Sequence, residues 1–374
     1  MIRFPGKSLF HKLKVLAAAI ALIVATPAIG FAATLEQMAG QMIIVGFHGN
    51  SVDDKSVAAL RGEIAAGTLG GVMYLKPNVA SLAAVKAMNK AFKAANPALP
   101  PFITLDQEGG FVERLTKDVG FAELPTAAAV AAADSPAQAR QLYAKMAAAV
   151  ADLGFTVNFG PVVDLNVNPS NPVIGKYGRS FSKDPAVVVE YAKAFIAAHR
   201  KVGLLTALKH FPGHGSSTTD SHEGFVDITR TWSKVELQPY VDLIAAKMVD
   251  LIMVGHLYDE NIEGAGKLQL PASLSPEWIN GQLRGKLGFT GVVISDDLEM
   301  GAIRKQFTTK DTVIRAVNAG VDVLLFSNTA AYDAGEADII RGYLVAAAKA
   351  DPAFEKRIEA SYARIAALKA GIAK

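Results

Sequence analysis

Eight short apolar, β-rich segments recur along this chain: Gln41 to Phe47, Gly71 to Leu75, Phe102 to Leu105, Val157 to Val163, Leu205 to Leu208, Leu251 to Val254, Val292 to Ile294 and Val321 to Phe326. Between them run Ala-rich amphipathic stretches such as Val79 to Ala95, Thr126 to Leu153, Pro185 to Val202, Pro276 to Leu287 and Asp311 to Ala319. Strands that alternate with helices pair in parallel through βαβ crossovers. A strand buried on both faces reads as a near-continuous hydrophobic run, as these do. Eight such units in 374 residues fit one α/β domain, a (β/α)₈ TIM barrel, better than a doubly wound sheet. No Pro/Ser-rich linker or shift in composition marks a second domain. The tail from Asp351 to Lys374 reads as a charged amphipathic helix on the outside of the barrel.

Residues 1–32 stand apart from this pattern. Arg3, Lys7, Lys12 and Lys14 precede an apolar run from Val15 to Ala25, and Gly30-Phe31-Ala32 supplies a small-x-small cleavage signal, the layout of a secretory signal peptide. The expectation is a mature domain over 33–374, periplasmic or secreted, monomeric, and without a stable membrane anchor once cleaved; an uncleaved anchor is the alternative. Removal of the leader takes Lys+Arg from 38 to 34 against 35 Asp+Glu, so the net charge changes from +3 to −1. A near-neutral surface without basic runs argues against nucleic acid as a partner. The absence of cysteine excludes disulfides, thiolate chemistry and Cys-ligated metal.

In a TIM barrel the site is built at the C-terminal ends of the strands. Here those ends read Asp106-Gln107-Glu108, Asp164, Lys209-His210, His256 and Ser295-Asp296-Asp297, so ionisable groups from five strands converge on one mouth. Asp296, at the end of a rigid buried strand, suits a nucleophile that must hold one geometry through a covalent step, although a strand-end Asp can equally cap the next helix. If the strand continues, Asp297 points the other way. In DQEGGFVER, Gly109 and Gly110 permit a tight turn, Asp106 can accept hydrogen bonds from hydroxyls and Arg114 can donate a planar fork to them. Arg179, in GRSF, has similar potential; a structural salt bridge is the alternative for both arginines. Lys209 lies where a buried ammonium must be paired or ligand-bound.

The stretch from Leu208 to His222, LKHFPGHGSSTTDSH, holds three of the seven histidines. Lys209 and His210 are expected at the end of a strand, before a mobile loop broken by Pro212, Gly213 and Gly215. Asp220 stands two residues before His222, a spacing that lets a carboxylate orient an imidazole acting as general acid/base. His210 and His214 have i, i+4 spacing, but the intervening Pro-Gly forbids the helix that would bring both to one zinc ion, so no metal is expected. The Gly-rich loop lacks the phosphate-cradling G-x-x-x-x-G-K-[ST] pattern.

KHFPGHG followed by DSH, with DQEGG upstream, GRSF between them and SDDLEM downstream, resembles the single-domain β-N-acetylhexosaminidases of glycoside hydrolase family 3, from about Leu35 to beyond Phe326. The resemblance implies a (β/α)₈ barrel and hydrolysis of terminal β-linked N-acetylglucosamine through a covalent glycosyl-enzyme, without cofactor. It makes Asp296 the nucleophile and His222, assisted by Asp220, the acid/base. It puts Asp106, Arg114, Arg179, Lys209 and His210 at sugar-binding positions, with an N-acetylglucosamine-containing glycan or cell-wall fragment as substrate. Using a histidine departs from the usual carboxylate pair of retaining glycosidases. A β-glycoside phosphorylase or β-glucosidase on the same scaffold, or a non-catalytic sugar-binding barrel, are the competing expectations.

Overall fold

The computed structural model describes residues 33–264, 268–329 and 331–372. The leader expected over residues 1–32 lies outside them. From Thr34 onward the chain forms one compact unit.

Eight parallel strands make up the barrel: β1 (Ile43–Gly46), β2 (Gly71–Met73), β3 (Phe102–Leu105), β4 (Val157–Asn158), β5 (Leu205–Phe211), β6 (Leu251–Val254), β7 (Val292–Ser295) and β8 (Leu324–Phe326). They pair in sequence order from β1 to β7, and β8 returns to lie against β1 with Ile43 opposite Leu324. A single parallel bridge, Ile294 to Val323, links β7 to β8 and all but closes the ring. The strand residues are almost uniformly buried, because the side chains of one face fill the barrel while those of the other meet the helices.

Several expected boundaries shift for local reasons. β4 stops at Asn158, because Pro161 has no N–H to give a ladder; pairing resumes only at an isolated bridge between Val162 and Lys209. The helix expected from Thr126 to Leu153 is two, Ala127–Ala133 and Pro136–Asp152, with Ser135 capping the second and Pro136 at its first position. Glu277–Lys286 is a wider π-type helix containing Gly281 and Gly285. The tail helix, Pro352–Lys369, does more than cover the outside. Its Lys369 is fully buried, donates to the Gln41 side chain and the Gly70 carbonyl at 2.7 Å, and lies 4.5 Å from the centre of the Phe102 ring. With no carboxylate beside it among the described residues, burial lowers its pKa to about 7.

β5 departs most from expectation, since it continues through Lys209 and His210 to Phe211. Its register against β6 slips between Leu208 and Phe211. Such a bulge re-aims side chains, and both Lys209 and His210 consequently line the mouth of the barrel. Among the described residues, no helix is long and apolar enough to cross a membrane.

Candidate active site

A pocket of about 330 Å³ opens at the C-terminal ends of the strands, lined by Asp106, Arg114, Arg179, Lys209, His210, His222, Asp296 and Asp297, with Met73, Phe159, Met253 and Leu325 as its apolar floor. Seven of the eight residues singled out from the sequence line it; the eighth, Asp220, touches it through His222.

One wall is an alternating ion network. Lys209 is 2% exposed, and its ammonium lies 2.7 Å from Asp106 and 2.6 Å from Glu108. Arg114 holds the other oxygen of Asp106 at 2.7 Å. Arg179 grips Glu108 with two parallel hydrogen bonds of 2.9 and 2.8 Å. Burial works against ionising these carboxylates, but the facing cations outweigh it. They hold Asp106 well below the usual carboxylate range and Glu108 at about 2, so both are charged at neutral pH. Glu108 thus completes the network, which sequence alone had recorded merely as a strand ending. Gly109 enables it: at φ +102° it turns the chain back against Pro125, whose carbonyl would meet a Cβ at 2.4 Å.

Behind this wall sits Asp164, in the segment that follows β4. It accepts from the His210 ring at 2.7 Å and from the backbone N–H groups of His210 and His214 at 3.1 and 2.8 Å. Burial opposes its charge, yet these neighbours lower its pKa. Accepting from Nδ1 leaves Nε2 of His210 to face the pocket, 3.5 Å from Arg179. His210 and His214 meet edge to face, with ring centres 5.8 Å apart, and His214 is taken up by Ser217 and Ser221. Among the described residues no group of three or more His, Cys, Asp or Glu is arranged to hold a metal ion.

On the opposite side, Asp296 and Asp297 both line the pocket, where the continuing strand predicts only one. Their environments separate them. The Asp296 carboxylate accepts the Asp297 N–H at 2.8 Å; burial resists its charge, but His210, His256 and His222 hold its pKa below normal. The Asp297 carboxylate is occupied by the N–H groups of Glu299 and Ser327, and burial raises its pKa to about 6. His256 donates through Nε2 to the Asp297 carbonyl at 2.8 Å, which fixes the turn carrying both aspartates.

His222 reaches the pocket from the loop after β5. Its Nδ1 lies 2.7 Å from Asp220, and its ring is 63% exposed. The loop is more anchored than its Gly, Ser and Thr content suggests. Gly213 to Ser217 are buried, and Asn171 binds the carbonyls of His214 and Ser217 at 2.7 and 3.0 Å. The N–H of Gly215 meets Glu236 at 3.0 Å, and a Cβ on Gly215 would lie 1.7 Å from the Leu165 carbonyl. Farther on, Ala302 and Gly301 donate to the carbonyls of Ser221 and His222, at 3.1 Å each. His222 therefore stands at the pocket, held by polar bonds in place of the missing apolar anchor. Glu236 is nearly fully buried and faces Asp164, and burial raises its pKa to about 8. Nothing in its sequence context marks it, because the loop it supports starts some twenty residues away.

The architecture and the mouth define a class: a (β/α)₈ barrel whose pocket is lined by a carboxylate, a carboxylate-supported imidazole and an array of charged hydrogen-bonding groups. The chain belongs to glycosyl hydrolase family 3, whose N-terminal domain matches residues 34–368. It is 34% identical to the beta-hexosaminidase A of Pseudoalteromonas piscicida over 80% of this chain and 53% of that protein, so it spans about half the length of that relative. It is likewise 34% identical to the beta-hexosaminidase of Xylella fastidiosa, over 76% of this chain and 82% of that one. In structure it is similar to a family 3 beta-N-acetylglucosaminidase from Paenibacillus, with TM-score 0.82 and 32% identity, covering 91% of this chain and 63% of that chain. A beta-N-acetylhexosaminidase from Beutenbergia cavernae has TM-score 0.78 and 29% identity, with 91% of this chain and 99% of that chain covered.

Proposed function

We propose that this chain is a retaining glycosidase that removes terminal β-linked N-acetylglucosamine. The observation that carries the reading is that Asp296, held ionised, and His222, backed by Asp220, share one pocket with a fixed array of hydroxyl-binding charges. The relatives' names, beta-hexosaminidase and beta-N-acetylglucosaminidase, support the same substrate class.

In the first step an Asp296 oxygen attacks the anomeric carbon as the glycosidic bond breaks, and the Nε2 proton of His222 passes to the leaving oxygen. In the second, His222 takes a proton from water, the water oxygen attacks the same carbon, and Asp296 is released with overall retention. Asp220 fixes the ring so that Nε2 faces the pocket. Asp106, Arg114, Arg179, Lys209 and His210 orient the sugar hydroxyls. Because these groups are held beforehand by one another and by Glu108 and Asp164, little reorganisation is needed at reaction. No cofactor takes part. Residues 1–32 serve as a cleaved export signal, and the domain over 33–374 acts as a monomer in the periplasm or outside the cell.

Turnover of 4-nitrophenyl β-N-acetylglucosaminide, with β-N-acetylglucosamine as first product by NMR and a slow fluorinated donor trapped on the Asp296 peptide, is the expected result. An α-anomer as first product, or no turnover, would overturn the assignment. N-acetylglucosamine 1-phosphate formed in phosphate buffer would make the chain a phosphorylase instead. N-terminal sequencing of exported protein should begin near Ala33.

A further inference from the structure

The end of the barrel opposite the mouth carries a second charged site. A small pocket of about 90 Å³ lies between the helix Glu277–Lys286, the residues that lead into β8, and the tail helix. Arg284, Arg357 and Arg364 line it together with Asn280, Asn318 and Ser361, and no acidic side chain does. Asp322 lies behind them, fully buried. One of its oxygens accepts from Arg284 at 2.7 Å and from the Val293 N–H at 2.9 Å; the other accepts from Ser361 at 2.8 Å and from Arg364 at 2.7 Å. A carboxylate offers about four acceptor positions, so Asp322 is saturated. This pairing accounts for Arg284, which also binds the carbonyls of Gly291 and Gly320 at 3.1 Å each. It does not account for the other two arginines. Arg364 gives Asp322 only one of its terminal nitrogens. Arg357, two helical turns earlier on the same face, is exposed and has neither ion pair nor hydrogen bond among the described residues.

We propose that this pocket binds a small dianionic oxyanion of the phosphate type, held by Arg357 and Arg364 beside the fixed guanidinium of Arg284. A lone exposed arginine needs only water, but here three guanidinium groups face one saturated carboxylate, which leaves two positive charges in excess. A dianion matches that excess. Its tetrahedral oxygens suit the planar forks of arginine, which bind phosphate through paired, charge-assisted hydrogen bonds. At about 90 Å³ the pocket is far below the roughly 300 Å³ at which organic ligand sites begin, so it fits an ion or a terminal phosphate group and excludes a sugar ring. Burial lowers the Arg284 pKa and the neighbouring Arg364 adds to this, with Asp322 only partly offsetting them, as expected where positive charge is in surplus. A bound anion would join the tail helix to the helices on either side of Asn280 and Asn318. It should therefore stabilise the fold, and it does so independently of any chemistry at Asp296.

The test titrates the full chain with inorganic phosphate by calorimetry, at fixed ionic strength in chloride buffer, beside Arg357→Gln. Because Arg357 has no partner in the protein, the variant should melt as the unaltered chain does in chloride alone. The unaltered chain should take up one phosphate at this site with a saturable rise in melting temperature, and Arg357→Gln should bind it at least about tenfold more weakly, the effect of one lost charge-assisted contact. Phenyl phosphate separates the two sources of the ion. Binding of phosphate alone marks a free ion, and equal binding of both marks a phosphate group on a larger molecule; either supports the site. Absence of saturable binding, or binding unchanged in Arg357→Gln, as for an ion held in the catalytic mouth, would overturn the proposal.

Discussion

Nδ1 of His222 lies 2.7 Å from Oδ1 of Asp220, and the same oxygen accepts the backbone N–H of His222 at 2.8 Å. One carboxylate thus fixes both the ring and the turn that carries it. If His222 donates the proton, His222→Ala should slow substrates with basic leaving groups by about 10² to 10⁴, and barely slow those with acidic phenols, which need little protonation. Plotting rate against leaving-group pKa for the variant and the unaltered chain checks this. A uniform loss would put the donor elsewhere. Asp220→Ala, which keeps the imidazole but frees its orientation, should show the same pattern with a smaller loss.

The two neighbouring aspartates should separate in function. Asp296→Asn should lower kcat by at least about 10³ with little change in melting temperature, because its carboxylate makes one local hydrogen bond and faces the pocket. Asp297→Asn should cost less activity and more stability, since its carboxylate ties Glu299 and Ser327 together. Parallel kinetics and thermal melts distinguish the two. A more active Asp296 variant than Asp297 variant, with both folded, would reverse the assignment.

Lys209→Met should be destabilising as well as inactivating. The ammonium is the shared partner of Asp106 and Glu108, and its removal leaves two buried carboxylates facing each other with only the arginines to offset them. Breaking such a pair costs about 3–5 kcal/mol. Both carboxylates have depressed folded pKa values, so their stabilising contribution exists above the unfolded values near 4 and fades as pH falls. The deficit of the variant, measured by denaturant titration, should accordingly be larger at pH 7 than at pH 4.

Glu236 predicts the opposite pH dependence. Its folded pKa, about 8, lies above its unfolded value of 4.5, so between these values the folded state holds a proton that the unfolded state has lost. Its contribution is full below pH 4.5 and is lost as pH rises through 8. Glu236→Gln keeps an acceptor for the Gly215 N–H and removes the titration. It should raise stability at pH 8 by roughly 2 kcal/mol and flatten the decline of stability between pH 5 and 8. A denaturation series across that range reads the change directly; an unaltered slope would mean that Glu236 is ionised in the folded chain.

The alternation of apolar segments and amphipathic helices is enough to specify eight β/α units, because backbone pairing and hydrophobic burial act with periods of two and 3.6 residues that a sequence displays. Strand ends are legible for the same reason. Asp106, Lys209, His210 and Asp296 each terminate or leave an apolar run, and parallel closure aims such ends at one mouth. The Asp220 to His222 spacing is legible because that contact is only two residues long.

Partner choice across the mouth is not. Glu108 meets Arg179 over 71 positions and Asp164 meets His210 over 46, while Asn171 and Glu236 hold the His222 loop from two different β/α units. Nor do residues show locally that β5 slips register and turns both Lys209 and His210 inward, or that Asp297 spends its carboxylate on backbone N–H groups. These features depend on distances between strand ends that exist only once the ring of strands is assembled. Charge on a side chain is written in the sequence; the burial and the facing ions that decide its pKa and its reach are set by tertiary packing.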